Sequence, residues 1–262
     1  INKEDIEDIV TGCAFPEGPQ GMLMARSISI LADLPITTAG KVVNRFCGSS
    51  MDSVHQVSQA VIAGDIKSGI ASGVEDMFTV PMGGFVPDFN EQLNEKEFYI
   101  GMGETAENLA QELDISREDQ EEFSILSHQK ALNAIESGRF DNEIVPIEFS
   151  GQIFNKDEGP RTPDIEKMKS LSPAFDSNGS ITAATSSPIS LGASALLIAN
   201  QDMADSSNSV FEIISRSIVG VDWKTMGQGP LPATEKALKN AGLTMSDIGV
   251  VELNEAFAAL SL

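Results

Sequence analysis

Residues 41–74 constrain the fold of this chain more than any other stretch. Lys41-Val42-Val43-Asn44-Arg45-Phe46 has β-type composition and ends abruptly at Cys47-Gly48-Ser49-Ser50. Beyond it Met51, Val54, Val57 and Val61 recur at three- and four-residue spacing, the mark of a helix with one apolar face. Gly64 supplies the stop signal. Gly69 to Val74 then reads as a buried strand of small residues. Strand, helix and strand in this order make a βαβ unit, so the chain is expected to be α/β with a parallel sheet.

The surrounding sequence supplies more elements of the same kind. A strand over Ile9 to Cys13 and a helix from about Leu23 to Ala32 precede the unit. Met77 to about Gly103 is rich in Met, Gly, Pro and Phe without period and reads as a long loop. Two helices follow, Glu104 to Leu113 and one opening at Ser116-Arg117-Glu118-Asp119, which has the spacing of a capping box. The second is expected to carry Phe123, Leu126 and Ile135 inward and to end at Gly138. Phe149 to Pro173 reads as an irregular polar excursion, and Gly179 to Ala184 as a strand. Leu191 to Ala199 is a small-apolar run suited to a buried helix or strand. Val210 to Val221 reads as a strand, Thr234 to Ala241 as a helix ended by Gly242, and Val250 to Leu253 as a strand after which Asn254 opens a last helix.

Charge and composition exclude several classes. A formal net charge of -22 repels phosphate backbones and anionic lipid surfaces, so nucleic acid is not an expected partner. The longest apolar runs fall far short of a bilayer span, and the first residues carry no signal-peptide pattern. A cytoplasmic protein is the expectation, or one of an organelle matrix if a targeting segment precedes this chain. The 2 cysteines and 2 histidines are too few for a disulfide framework or a zinc site, so no metal is expected. An anionic ligand would need a local basic site, and Arg161, Lys167 and Lys169 form the best candidate stretch.

Where chemistry sits is narrowed by position. Cys47 stands where an apolar strand feeds a helix. There, unpaired N–H groups and the positive helix end favour a thiolate and can stabilise an oxyanion. A buried structural cysteine is the alternative. His55, eight residues along the same helix, and His128, on the capped helix, are poorly placed to serve Cys47 as a base, so a Cys/His hydrolase is a weak reading. Asn254 fits a helix N-cap, and taken alone that is the preferred reading; its amide is also suited to hold a water or carbonyl at a strand end.

Six segments in colinear order resemble the thiolase family. Val43-Asn44-Arg45-Phe46-Cys47-Gly48-Ser49-Ser50-Met51 is similar to the nucleophile segment, and Gly101-Met102-Gly103-Glu104-Thr105-Ala106-Glu107-Asn108 to a mid-chain segment. Ile115 to Gln120 with Ser127-His128-Gln129 resembles the helix that follows. Pro173-Ala174-Phe175-Asp176 and Gly179 to Ser187 resemble the CoA-lining stretch. Val221 to Pro232 and Asn254-Glu255-Ala256-Phe257 complete the set.

The resemblance implies a layered αβαβα sandwich of two similar halves with an inserted loop domain. Residues 1–76 and 184–208 would form part of the N-terminal half, 77–183 the CoA-binding loop domain, and 209–262 the start of the C-terminal half. It implies Cys47 as the acyl-accepting nucleophile and Asn254 as the residue holding a water in an oxyanion hole. Ser187, Ala183 and Phe175 would line the pantetheine channel, Met102 and Phe257 the acyl pocket, and Arg161 the CoA nucleotide. Coenzyme A is then substrate and no bound cofactor is expected. A homodimer or homotetramer, and a β-oxidation partner subunit, are the implied associations.

The expected reaction is acyl transfer between 3-ketoacyl-CoA and CoA through an acyl-cysteine, with release of acetyl-CoA. Ser50 favours this degradative type over a biosynthetic acetoacetyl-CoA thiolase, which tends to carry Gly there. Two departures qualify it. The family's late histidine and second cysteine would lie beyond Leu262, and the first strand and helix before Ile1. Read so, the chain is a piece of a longer enzyme, inactive as it stands, and a non-catalytic acyl-CoA-binding fragment is the other alternative. Leu191 also replaces the acidic residue usual before Gly192.

Overall fold

The computed structural model describes residues 2–205 and 209–262 of the chain. In chain order its strands are β1 Asp8–Gly12, β2 Ala39–Val43, β3 Ser68–Asp76, β4 Ile147–Phe149, β5 Gln152–Phe154 and β6 Leu191–Ala199. Its α-helices are α1 Met24–Leu31, α2 Ser49–Ala63, α3 Glu91–Glu95, α4 Met102–Glu112, α5 Arg117–Glu136, α6 Ile165–Ser170, α7 Gln201–Ala204, α8 Pro230–Ala241 and α9 Ala258–Ser261. The chain divides into two compact units, residues 1–89 with 189–216, and residues 90–188 with 217–262.

The first unit is built on a sheet of order β2-β1-β3-β6, in which β1 runs parallel to both β2 and β3 and β6 runs antiparallel to β3. Register is set from the first residue of β1, where Asp8 faces Ala39 on one side and Gly69 on the other. β1 is the central, buried strand, and its Ile9, Val10 and Thr11 supply the β-branched side chains such a position favours. Helix α2 lays Val57 and Val54 on Val10, Ala71, Val43, Ile66 and Ile198, forming the core of this unit. It ends where Gly64 adopts a left-handed φ of 80° and its N–H reaches Ala60 and Val61, as a C-terminal glycine should.

Two glycines seat the start of α2. An added Cβ on Gly12, the last residue of β1, would lie 2.3 Å from the carbonyl carbon of Ser49. Gly73 in β3 would place one 2.0 Å from Ser50 Oγ. Only side-chain-free positions let the first turn of the helix rest on the strand ends.

The second unit packs α4, α5 and α9 about Ala106, Ala110, Ile181, Phe257 and Ala259, with Met102, Ile115, Ala256 and Leu260 against them. Ser116 caps α5, its hydroxyl accepting from the Asp119 N–H. Arg117 holds α6 to this helix by donating to the carbonyls of Met168, Lys169 and Leu171 at 3.1, 3.3 and 2.9 Å.

Several sequence expectations need correction. Leu191 to Ala199 is a strand but not a buried one: among the described residues β6 pairs along one edge only, and residues 191–197 are exposed. On α5 the buried positions are Gln120, Glu121 and Ser124, whereas Leu126 is exposed; polar side chains with local or tertiary partners took the inner face. Gly179 to Ala184, Val210 to Val221 and Val250 to Leu253 form no strand; of residues 182–188 only Ser186 makes an isolated bridge, to Phe257. Asn254 opens no helix, since α9 starts at Ala258 with Phe257 at its N-cap. The excursion from Phe149 to Pro173 contains the β4–β5 hairpin's second strand and α6, and the loop after Met77 contains α3. The expected boundary between 208 and 209 touches residues 206–208, which lie outside those described.

Candidate active site

Cys47 lies on the turn between β2 and α2. The chain leaves β2 at Val43 and reverses sharply: the Gly48 N–H donates to the Arg45 carbonyl at 3.0 Å and the Ser49 N–H to the Phe46 carbonyl at 3.0 Å. Phe46 takes a φ of 45°, in the left-handed region that a bulky side chain rarely adopts. Ser49 locks the far side of the turn, its Oγ accepting from the Arg45 N–H at 2.8 Å and donating to the Phe46 carbonyl at 2.5 Å. Gly48 is the N-cap of α2 and Cys47 stands one residue before it, with its side chain exposed. The thiol is therefore presented on a constrained turn at the positive end of a 15-residue helix.

Asp52 in the first turn of α2 is buried, and Arg45 faces its carboxylate at 3.4 Å. His55 is half-buried on the same helix; burial, then the charge of Arg216, holds its pKa below the usual histidine value.

The second unit contains a cleft of about 600 Å³. Asn254, Ser187, Ser127, His128 and Glu255 are among its lining residues. Two backbone bonds hold its walls together: the Ser187 N–H donates to the Ala256 carbonyl at 2.8 Å, and the Ala258 N–H to the Thr185 carbonyl at 2.9 Å. Glu255 is fixed by the Ser127 hydroxyl, which donates to its Oε2 at 2.6 Å. His128 Nδ1 accepts from the Arg161 N–H at 3.3 Å, and burial, with Arg161 adding to it, lowers the histidine pKa. Arg161 itself is exposed.

Sequence-selected residues thus fall in four places. Asn254 and Ser187 share the cleft. Met102 and Phe257 belong to the apolar core, where Phe175 stands edge-on to Phe257 with ring centroids 5.7 Å apart. Ala183 is exposed on the segment leading into the cleft wall. Cys47 belongs to the other unit. The sequence did not single out Glu107, whose carboxylate accepts from the N–H groups of Ser180 and Ile181, each at 2.9 Å. A partner 73 residues away leaves no local pattern. The same is true of the Ser127–Glu255 bond.

Comparison with known proteins places these features in a family. The thiolase N-terminal domain matches residues 1–202 and the thiolase C-terminal domain residues 208–262. A 3-ketoacyl-CoA thiolase of Alcanivorax borkumensis is 45% identical over 267 residues, covering 98% of this chain and 68% of the relative. One of Bacillus subtilis is 41% identical over 278 residues, covering 98% of this chain and 71% of the relative. Among solved structures, the acetyl-CoA acetyltransferase of Bacillus anthracis superimposes with a TM-score of 0.86 at 32% identity, over 100% of this chain and 71% of that one. The fold is accordingly the α/β thiolase fold, and the chain belongs to the thiolase family.

Proposed function

We propose that this thiolase is an acyltransferase that moves an acyl group between 3-ketoacyl-CoA and CoA, with Cys47 as the acyl carrier. The observation that carries this reading is the exposed Cys47 thiol on a fixed turn before α2, in a chain whose relatives are named 3-ketoacyl-CoA thiolases. In the degradative direction the Cys47 sulfur attacks the 3-keto carbon. The bond between C2 and C3 breaks, the acyl part stays on sulfur as a thioester, and acetyl-CoA departs as its enolate and takes up a proton. The thiol of a second CoA then attacks the thioester, giving a shortened acyl-CoA and restoring Cys47. Coenzyme A is substrate throughout.

Charge develops on oxygen in each step, and preorganised donors there are worth several kcal/mol, ~3–4 for one well-placed donor. The positive end of α2 suits the oxyanion on the Cys47 side, while the Gly48 and Ser49 N–H groups already donate within the turn. Asn254 suits the enolate oxygen through a held water, and its place in a cleft with Ser187 supports that role. Ser187, Ala183 and Phe175 are assigned to the pantetheine, Met102 and Phe257 to the acyl pocket, and Arg161 to the CoA nucleotide. Proton transfer to the enolate contributes ~10²–10⁴-fold in such reactions. His55 and His128, both half-buried with lowered pKa, are not assigned to it.

The reading extends to organisation. Residues 1–76 with 184–208 and residues 209–262 are assigned to the two thiolase halves, and 77–183 to the inserted CoA-binding domain. Among the described residues no helix is long and apolar enough to cross a membrane. A cytoplasmic location fits the bacterial relatives; a homodimer or homotetramer is assigned from the family resemblance alone, and light scattering on the purified protein tests the assembly. The function itself is tested by incubation with acetyl-CoA followed by intact-mass analysis. One acetyl group on wild type and none on Cys47→Ser is expected; CoA binding without any acyl adduct would refute the transfer reading.

A further inference from the structure

We propose that Asn44 is a positioning residue for Cys47: its carboxamide clamps the left-handed turn at Phe46 onto Ala14, just beyond the end of β1, and so fixes where the thiol points. The inference rests on Cys47 being the acylated residue. Its structural half stands independently on hydrogen bonds.

A phenylalanine at a φ of 45° persists only where neighbouring groups impose that conformation. Relaxation of Phe46 to an extended or right-handed backbone would rotate the next residue, Cys47, away from its present direction. Asn44 opposes this from both ends of one side chain. Its Oδ1 accepts from the Phe46 N–H at 2.8 Å, and its Nδ2 donates to the Ala14 carbonyl at 2.8 Å. No hydrocarbon side chain supplies both bonds, and a carboxylate supplies only the first.

The anchor at Ala14 is itself rigid. The Ala14 N–H donates to Glu75 Oε2 at 2.6 Å, and Glu75 Oε1 accepts from Gln20 Nε2 at 3.0 Å. Directly before it, the Cys13 N–H donates to the Val43 carbonyl at 3.1 Å. The turn is thereby tied to β1 and to β3, whose residues form the buried centre of the sheet. The neighbouring rings of Phe15 and Phe46, with centroids 5.9 Å apart, follow the same path. Ser49 holds the helix side of the turn and Asn44 the strand side, so Phe46 is gripped from both directions. Asn44 is exposed, and water competes for its bonds, so its effect is graded.

The test compares wild type with Asn44→Ala and Asn44→Asp by two measurements. Amide hydrogen exchange over residues 44–48 should be about fivefold faster in Asn44→Ala, the size of one net hydrogen bond. Asn44→Asp, which keeps an acceptor for Phe46 and loses the donor to Ala14, should fall between. The saturating rate of Cys47 acylation by acetyl-CoA should drop by about the same factor, with half-saturating acetyl-CoA unchanged. Unchanged exchange at 44–48 overturns the clamp. Faster exchange with an unchanged saturating rate overturns the positioning role, and so does a loss that follows the melting temperature of the variants. A wild type that acquires no acyl group refutes the transfer reading instead, while the exchange result still decides the clamp.

Discussion

Ser50 Oγ occupies the space that a side chain on Gly73 would need, 2.0 Å from where its Cβ would stand. The neighbouring strand shows the same relation in a harder form, since a Cβ on Gly12 would meet the backbone of Ser49 at 2.3 Å. The two substitutions should therefore differ. A serine hydroxyl can rotate away, leaving the Ser50 Cβ at 2.8 Å to shift by a few tenths of an ångström, whereas helix backbone cannot move without carrying the Cys47 turn with it. Gly12→Ala is expected to cost about 2–3 kcal/mol, in the upper range for overpacking, and Gly73→Ala about 1 kcal/mol. Denaturant unfolding of both variants checks the order.

Cys13 and Cys47 should be separable by chemistry. Cys13 is 1% exposed, and burial, then the charge of Glu75, pushes its thiol up to about 11. Alkylation of the native protein at pH 8 followed by peptide mapping should mark Cys47 and spare Cys13. The same shift has a stability consequence. A thiol whose folded pKa lies above its ordinary value of 9.0 supports the fold below that value and loses the support as pH rises toward about 11. Stability should fall across that window in wild type and fall less in Cys13→Ala.

Glu107 tethers the segment that leads to Ser187 by accepting two backbone N–H groups. In Glu107→Gln one of those donors faces an amide NH₂ instead of an acceptor. A loss of about 1–3 kcal/mol is expected, the cost of an unsatisfied polar group. Because the cleft wall starts only a few residues further on, affinity for CoA, measured by calorimetry, should weaken as well.

Phe175 rests over Gly103, where an added Cβ would come within 2.2 Å of its ring. Gly103→Ala should expel the ring from its edge-on contact with Phe257, losing about 0.5–1.5 kcal/mol of aromatic pairing. If Phe175 lines the pantetheine channel as proposed, half-saturation for acyl-CoA should rise in this variant with the saturating rate little changed.

What the sequence made legible follows the range of the interactions. The βαβ unit, the glycine stop of α2 at Gly64 and the Ser116 cap of α5 are encoded within a few residues, and each forms where expected. The resemblance to thiolases was carried by short motifs for the same reason. The exposure of β6 is not legible, because an apolar run does not say whether a strand lies inside a sheet or along its edge. Gly179 to Ala184 and Val250 to Leu253 have strand-like composition, but a strand needs a ladder partner, and these segments have none among the described residues. The left-handed Phe46, the Glu107 tether and the Ser127–Glu255 bond depend on geometry or on partners far along the chain, and no spacing announces them.

In the proposed reaction the substrate's acyl portion passes through Cys47. The most direct test is brief mixing with a 3-ketoacyl-CoA isotopically labelled in the acyl tail, followed by acid quench and peptide mapping. The labelled tail is expected as a thioester on the Cys47 peptide, with unlabelled acetyl-CoA in solution. Release of acetyl-CoA with the label on Cys13, or on no cysteine at all, would contradict that reaction.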